Sequence, residues 1–323
     1  MNSESAAQQQ QSLPKISVVI PVLNSVNTIE KALQSVLAQA YAHTEIIVID
    51  GGSTDGTVEI IQRYAGQIHY WHSLADGSCG KAINLGMQQA TGVLIAQLMA
   101  DDWFEPGTFA VIGQAYCEHP EAEVISCGGR IVATGEQPGQ YKTLAEYTTP
   151  QQLKLDLHHM CFAIPAMSSR FLTKRLLDKI GLMDPFDAEG RHLYSADREL
   201  LIRAVVMGCR NVVVDHLGHS YFAHPGSATF GKNLKNQLKI YQEHMVIAKD
   251  YPQRYQLTLE DSLIFKYWYN DQSVRLFFYS LLGGNFKKAL DLFKQGIQQS
   301  HSRWLITLLV MPWTVARKKL IGE

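Results

Sequence analysis

The sequence has no long apolar run. Nothing in it reaches the ~18–20 residues that a bilayer-spanning helix needs. The nearest approach, Trp304–Ala316, is uncharged but too short. The first fourteen residues are polar and contain no apolar h-region, so they read as a disordered tail and not as a secretion signal. Cysteines are few. Cys79, Cys117, Cys127, Cys161 and Cys209 are odd in number, scattered and without a C-x-x-C. That argues against a zinc site or a disulfide framework and suits a reducing, cytoplasmic compartment. Excess charge is missing too: 29 Lys+Arg stand against 30 Asp+Glu, a net charge of -1 with no basic field for nucleic acid. A hydrophobic content of 46% at that charge excludes a disordered chain, and 323 residues suffice for one large domain or slightly more. Two phosphate-binding signatures are also absent. No G-x-G-x-x-G follows the first apolar run, and no G-x-x-x-x-G-K-[ST] occurs.

The hydrophobic pattern that is present alternates between two periods. Ile16–Val22, Glu45–Asp50, Ile68–His72 and Val93–Met99 read as buried strands. Between them, helical spacing runs over Thr28–Leu37, through Val58, Ile61 and Tyr64 with Ser53 or Thr54 as the cap, and over Lys81–Ala90. This alternation predicts βαβ units and an α/β fold: a doubly wound, mostly parallel sheet with helices on both faces. Further on, the pattern predicts a helix from Pro106 to about His119 and short strands near Glu123–Ser126 and Arg130–Ala133. It predicts a loop over Thr134–Tyr147, a helix over Ala196–Met207 ended by Gly208, and a late strand over Asn211–Asp215. From about Lys232 the pattern is helical. The expected division is a tail over 1–14, an α/β domain over 15–231 and a helical extension over 232–323.

In open parallel sheets, ligands collect at the carboxyl ends of the strands. Three such ends carry polar clusters: Pro21 to Asn24, Asp50 to Gly56, and Asp101-Asp102, with Asp76 in the loop after the third strand. Carboxylates gathered at one edge repel unless a cation or hydrogen-bond donors sit among them. Adjacent Asp101 and Asp102 suit Mg²⁺ or Mn²⁺, completed by water and ligand phosphates. Equally, Asp102 can cap the next helix, and Asp50-Gly-Gly-Ser-Thr alone is an ordinary strand-to-helix turn.

The order Ile16-Ser-Val-Val-Ile-Pro-Val-Leu-Asn24, Ile46-Ile-Val-Ile-Asp50-Gly-Gly-Ser-Thr-Asp-Gly-Thr57, Gly80-Lys81-Ala-Ile-Asn-Leu-Gly86, Ala90-Thr-Gly92 and Met99-Ala-Asp101-Asp102 resembles the family 2 nucleotide-sugar glycosyltransferases of GT-A fold. The resemblance covers roughly 15–230 and is strongest over 16–106. It implies a nucleoside pocket lined by Pro21, Val22, Asn24 and Asp50, with Asp50 accepting from the base and Asp76 and Lys81 bordering it. It implies Asp101 toward the ribose or the outer shell of a metal, and Asp102 holding the divalent ion on the diphosphate. Leu74 and Ser78 depart from the pattern, where many relatives have an acidic residue and a glycine, and leave the role of Asp76 open. Lys81 also fits a solvated helix face.

Inverting transfer needs one base opposite the leaving diphosphate. Tyr194-Ser-Ala-Asp197-Arg-Glu-Leu-Leu-Ile-Arg203 resembles the family segment around that base. Asp197 matches it, in the first turn of a helix where the dipole favours its ionised form. Glu199 is the back-up, and its spacing to Arg203 predicts an i,i+4 pair. His224-Pro-Gly-Ser227 resembles a late turn that closes over the donor, with His224 at the diphosphate or metal; a lone His is also often structural. His158 and His159 read as packing or acceptor-rim residues.

The tail combines apolar runs with Lys287, Lys288, Lys294, Arg317, Lys318 and Lys319, and Trp304 and Trp313 bracket its apolar part. That suits contact with an anionic inner membrane leaflet, or equally a helix packed on its own domain or on a second copy. The expected partners are a nucleotide-sugar donor, UDP-linked, and a glycan or lipid-linked acceptor of surface-polysaccharide synthesis. A nucleotidyltransferase on a similar sheet and a non-catalytic nucleotide-sugar-binding module are the alternatives. The first would need a Gly-rich basic loop where Val22-Leu-Asn-Ser-Val-Asn27 stands.

Overall fold

The computed structural model describes residues 13–75, 77–137, 139–164, 166–184, 193–227 and 234–321, with 234, 299–303 and 310–321 in backbone only. The central strand is β1 (Ile16–Val22), a β-branched run buried at every position. It pairs in parallel with β2 (Thr44–Asp50) on one side and β4 (Leu94–Gln97) on the other, and β3 (Tyr70–Ser73) continues the parallel set beyond β2. Helices α1 (Ile29–Leu37), α2 (Thr57–Arg63) and α3 (Cys79–Gln89) make the crossovers. The remaining elements of the sheet unit are β5 (Trp103–Phe104), α4 (Thr108–Glu118), β6 (Val124–Thr134), β7 (Tyr141–Tyr147), the short α5 (Pro150–Leu153), β8 (Arg170–Thr173), α7 (Lys174–Ile180), α8 (Ala196–Val206) and β9 (Asn211–Phe222). Strand β8 is antiparallel to β4 and β6, and β9 is parallel to β6 and antiparallel to β5. The order is β3-β2-β1-β4-β8-β6-β9-β5, with β7 on β6. The α/β class and the parallel first half are as expected.

Pro21 sits inside β1 without loss. The odd-numbered residues of this strand bond toward β4: the carbonyls of Lys15 and Val19 accept from Leu94 and Leu98. Pairing with β4 stops at Val19, so the N–H that Pro21 lacks would point past the end of β4.

Several boundaries differ from expectation. Ser53 and Thr54 do not cap α2; the cap is Gly56 at φ +102°, and the two hydroxyl residues serve the neighbouring loop instead. The two short strands are one, β6, with a register shift between Ser126 and Gly129. Thr134–Tyr147 is not a loop throughout, because Tyr141–Tyr147 pairs with β6 as an exposed strand. An exposed edge strand has no apolar alternation to betray it. The late strand runs on to Phe222. Leu13 packs on the core, and the Pro14 carbonyl accepts from buried Tyr41, so the tail ends earlier than expected; 1–12 lie outside the described residues.

The chain divides into two compact units. The sheet unit takes in residues up to Leu155, Ile164 onward and Ala196–Phe222. The second gathers Asp156–Ala163, Leu193–Ser195 and the chain from Ala223, and so draws in segments distant from the helical extension expected over 232–323. It contains α6 (Leu157–Phe162), α9 (Leu234–Arg254), α10 (Leu259–Leu282) and α11 (Phe286–Ile321). Trp304 is buried there among Val274, Phe277, Phe278 and Phe293, and its indole N–H donates to Ser273 Oγ at 3.2 Å. It is therefore a core residue, in line with the packed alternative and not with an interfacial bracket. Among the described residues no helix is long and apolar enough to cross a membrane.

At the amino end of the sheet, Glu45 ties three segments. Its carboxylate accepts from Ser17 Oγ, from Thr91 N–H and Oγ (both 2.8 Å) and from Lys15 Nζ (2.9 Å). Gly92 closes this brace, because a Cβ there would lie 2.6 Å from Ser17 Oγ and 2.7 Å from the Lys15 carbonyl. The Ala90-Thr-Gly92 motif is thus architectural. Burial by itself would raise the Glu45 pKa, but the bonds from Ser17, Thr91 and Lys15 outweigh it and hold it at about 2, against 4.5 ordinarily. Its stabilisation is therefore complete above pH ~4.5 and is lost as the pH falls toward ~2. Glu45→Gln is expected to lower stability at pH 7 by ~1–3 kcal/mol and to flatten the acid limb of a urea-midpoint-versus-pH curve over that window.

Candidate active site

Asp50 ends β2 fully buried. Its Oδ2 accepts from the N–H groups of Gly52 (3.1 Å) and Ser53 (3.0 Å) and from Ser73 Oγ (2.7 Å), and its Oδ1 accepts from Ser53 Oγ. A carboxylate has about four acceptor sites. Three of the four donors here share Oδ2, so Asp50 holds the loop after β2 and the end of β3 in place. Among the described residues Oδ1 takes the Ser53 hydroxyl alone, which leaves it an acceptor site for a further N–H. The neighbouring loop after β1 is stitched to it. Asn24, at φ +48°, accepts from Thr54 N–H (2.9 Å) through Oδ1, and its own N–H donates to Ser53 Oγ (2.7 Å). The N–H groups of Ser25 and Val26 donate to Thr57 Oγ and Asp55. Pro21 and Val22 are buried in β1 beneath these loops. Lys81 is exposed on α3, and Asp76 lies outside the described residues.

The Asp101-Asp102 turn follows β4, on the same carboxyl edge. Asp102, expected to hold a metal, is only 1% exposed. Its Oδ1 accepts from Phe222 N–H (2.9 Å), and its Oδ2 lies 3.2 Å from Nε2 of buried His219. Burial raises its pKa; the His219 bond and charge and the Phe222 N–H oppose that rise, and the charge of Asp101 adds to it. Burial closes Asp102 to solvent, and each of its oxygens is turned to β9, which disfavours it as a ligand. Asp101, only half-buried, fits on position and exposure a cation that shares one or two carboxylates with phosphate oxygens. Among the described residues no three His, Cys, Asp or Glu form a cation cage.

His219 and Tyr147, whose hydroxyl is 3.5 Å from His219 Nδ1, went unassigned in the sequence. The late strand had been expected to end at Asp215, and Tyr147 lay in a presumed loop. Also unassigned was Glu105, whose Oε1 accepts from Trp103 Nε1 (3.0 Å) and Arg130 (2.8 Å) and from Ser220 Oγ, fastening β5 to β6 and β9.

Asp197 stands in the first turn of α8, partly exposed. Burial raises its pKa, against the pull of the Arg198 N–H (2.7 Å to Oδ1) and the Arg198 charge. Glu199 is engaged by Arg203 at 2.7 Å, the i,i+4 pair expected, and Arg203 also donates to the carbonyls of Ile180 (2.8 Å) and Leu182 (2.9 Å). Of the two acidic residues, Asp197 is the one not tied into such a brace. The segment Met167–Ser169 packs against both β4 and α8, which links α8 to the strand carrying Asp101. His224 belongs to the second unit. Its N–H donates to Ser227 Oγ (3.0 Å) and its Nδ1 accepts from Gly226 N–H (3.2 Å), so the ring closes a turn with its proton on Nε2. Asp156 caps α6 by accepting from the His159 N–H (2.8 Å), its Oδ1 also lies 2.9 Å from His159 Nδ1, and His158 stacks on Phe162.

The Asp102–His219 pair is expected to act as a stability unit. Asp102→Ala and His219→Ala should each cost ~1–3 kcal/mol in urea unfolding. The double variant should cost clearly less than their sum; strict additivity would show that the two side chains do not interact.

Comparison with known proteins agrees with this architecture. Residues 17–177 match the family described as Glycosyl transferase family 2. An uncharacterized glycosyltransferase of Rickettsia typhi is 28% identical over 172 residues, 53% of this chain and 54% of that protein. Glycosyltransferase AglE of Haloferax volcanii is 35% identical over 112 residues, 31% of this chain and 36% of its own length. The chain thus spans about half or less of the curated relatives it matches. Among solved structures, S. aureus TarS in complex with UDP superimposes with a TM-score of 0.53 at 17% identity, covering 89% of this chain and 91% of that one. Mannosyltransferase PcManGT from Pyrobaculum calidifontis, in complex with GDP-Man and Mn²⁺, gives 0.56 at 16% identity, covering 96% and 88%. At these identities the likeness shows a GT-A-type fold. With a matching domain that contains Asp50, Asp101 and Asp102, the chain belongs to glycosyl transferase family 2.

Proposed function

We propose that this chain is an inverting glycosyltransferase that moves a sugar from a nucleoside-diphosphate sugar to an acceptor hydroxyl. The observation that carries the reading is the carboxyl edge of β1, β2 and β4, where Asn24, Asp50 and the Asp101-Asp102 turn meet inside the family domain. The nucleotide sugars held by TarS (UDP-GlcNAc) and PcManGT (GDP-Man) support a donor of that class. The stitched loops after β1 and β2 form the nucleoside wall. Asp50 holds those loops and offers the open acceptor site of Oδ1 to a base N–H, and Asp101 stands where a divalent ion on the diphosphate would be held. That ion, Mg²⁺ or Mn²⁺, would neutralise charge on the departing diphosphate.

Asp197 is the general base. It takes the proton from the acceptor hydroxyl as the oxygen attacks the anomeric carbon, the bond from that carbon to the diphosphate breaks, and the nucleoside diphosphate leaves. A carboxyl made more basic by burial suits this task. Release of nucleoside diphosphate from UDP-GlcNAc and GDP-mannose, with and without Mn²⁺, tests the reading. Asp197→Asn should keep donor binding and lower turnover at least ~100-fold. Because burial raises the Asp197 pKa, activity should fall with decreasing pH from a point above the ordinary Asp range, and that acid limb should vanish in the variant. Asp101→Ala should abolish the Mn²⁺ response with an unchanged melting temperature. Nucleoside diphosphate release distinguishes the enzyme from a binding module, and release of pyrophosphate instead would identify a nucleotidyltransferase.

The acceptor is a glycan or lipid-linked saccharide presented at an anionic membrane surface. The support is the corner between α10 and α11, where Leu282, Phe286 and Leu290 are 78%, 68% and 52% exposed beside exposed Lys287 and Lys294. Phe286→Asp with Leu290→Asp should abolish flotation with anionic vesicles and leave hydrolysis of free donor intact; unchanged flotation would remove the membrane from the reading.

A further inference from the structure

The backbone just before the proposed base is held by a carboxylate from far along the chain. Glu243, on α9, accepts from the N–H of Tyr194 and the N–H of Ser195 with one oxygen, Oε2, at 2.9 Å each. These two donors immediately precede Ala196, the first residue of α8. The N–H groups at a helix start have no carbonyl of the helix to bond and take a side chain, water or a ligand instead. A short polar residue of the chain itself usually does so. Here the acceptor comes from a helix some fifty residues later (|i−j| of 49 and 48).

The support for Glu243 is rigid. The next residue, His244, is buried, bonds through Nδ1 to Gln272 (2.9 Å) and stacks on Trp268 at 4.9 Å between centroids. One turn further, Ala248 is buried, and Tyr251 packs on Phe265 at 5.5 Å. α9 is thus locked on α10, so Glu243 presents its carboxylate from a fixed base. Burial raises its pKa, against the pull of the Tyr194 and Ser195 donors and the charge of Lys239. What Glu243 controls is the position of residues 194–195, and Asp197 follows two residues later.

We propose that Glu243 is a positioning residue for catalysis: it fixes the entry to α8 and thereby sets where the Asp197 carboxylate meets the acceptor hydroxyl. The inference rests on Asp197 being the base. A displacement of about 1 Å at a reacting group can cost ~100-fold in rate, so a clamp two residues from the base acts on turnover before it acts on binding.

The test uses the full chain and measures nucleoside diphosphate release from UDP-GlcNAc and GDP-mannose. Four variants are compared, with melting temperatures alongside: Glu243→Ala, Glu243→Asp, Glu243→Gln and Asp197→Asn. Glu243→Asp retracts the acceptor by one methylene and keeps the charge, so it serves if the alanine variant does not fold. Glu243→Gln keeps an oxygen for both N–H groups. The expected result is a fall in kcat of ~10-fold or more for Ala and Asp with donor KM within about twofold, and near-normal kcat for Gln. In the Asp197→Asn background, Glu243→Ala should cause no further loss, because it acts through the base. Amide exchange over residues 193–200 should quicken in Glu243→Ala and stay unchanged in Glu243→Gln. The proposal is overturned if the two losses multiply, if KM rises in step with the fall in kcat, or if exchange is unaffected. Full activity of Asp197→Asn alone would instead overturn the assignment of the base, independently of what Glu243 does.

Discussion

The site depends on β1 being hydrogen-bonded in parallel on both sides over residues 16–19, and on one side only beyond them. Two-sided pairing buries the strand completely and aligns the ends of its neighbours. One-sided pairing beyond Val19 opens a gap where the chain turns out as a loop. Pro21 marks that transition, since it can occupy only a position where no ladder donor is needed. The loops after β1 and β2 then emerge side by side, close enough for Asn24, Ser53, Thr54, Asp55 and Thr57 to bond across them.

Four carboxylates in the sheet unit illustrate how environment divides architecture from chemistry. Glu45 and Asp50 are buried and receive four hydrogen bonds each. Asp102 is buried between His219 and the backbone of β9. These three are joints: Glu45 ties β2 to β1 and to the turn before β4, Asp50 ties the end of β2 to the end of β3, and Asp102 ties the turn after β4 to β9. Asp197 is different. It is more basic than an ordinary aspartate because of burial, yet it keeps a partly exposed edge. A carboxyl in that condition can exchange a proton, whereas one saturated with donors is better at holding a loop.

Much of the first hundred residues was legible because each strand there is a short, continuous, β-branched run bounded by turn residues. Burial on both faces leaves that trace in any βαβ unit. Legibility declined where burial is one-sided or absent. β7 is exposed at nearly every position, and the second half of β9 buries adjacent polar residues, His219 and Ser220. Trp304 stayed open between two readings for a related reason: an aromatic flanking an apolar segment looks the same in sequence whether it faces a core or a membrane boundary.

By itself the sequence determined the βαβ rhythm, the family motifs and the spacing that pairs Glu199 with Arg203, all of which depend on neighbours within a few positions. Tertiary structure alone decided which carboxylates are already satisfied. Asp101 and Asp102 are adjacent and chemically identical, and only the return of β9, some 120 residues later, makes one a structural joint and leaves the other at the edge. Hydrogen-bond saturation and desolvation are set by groups brought from distant parts of the chain, and no local pattern encodes them.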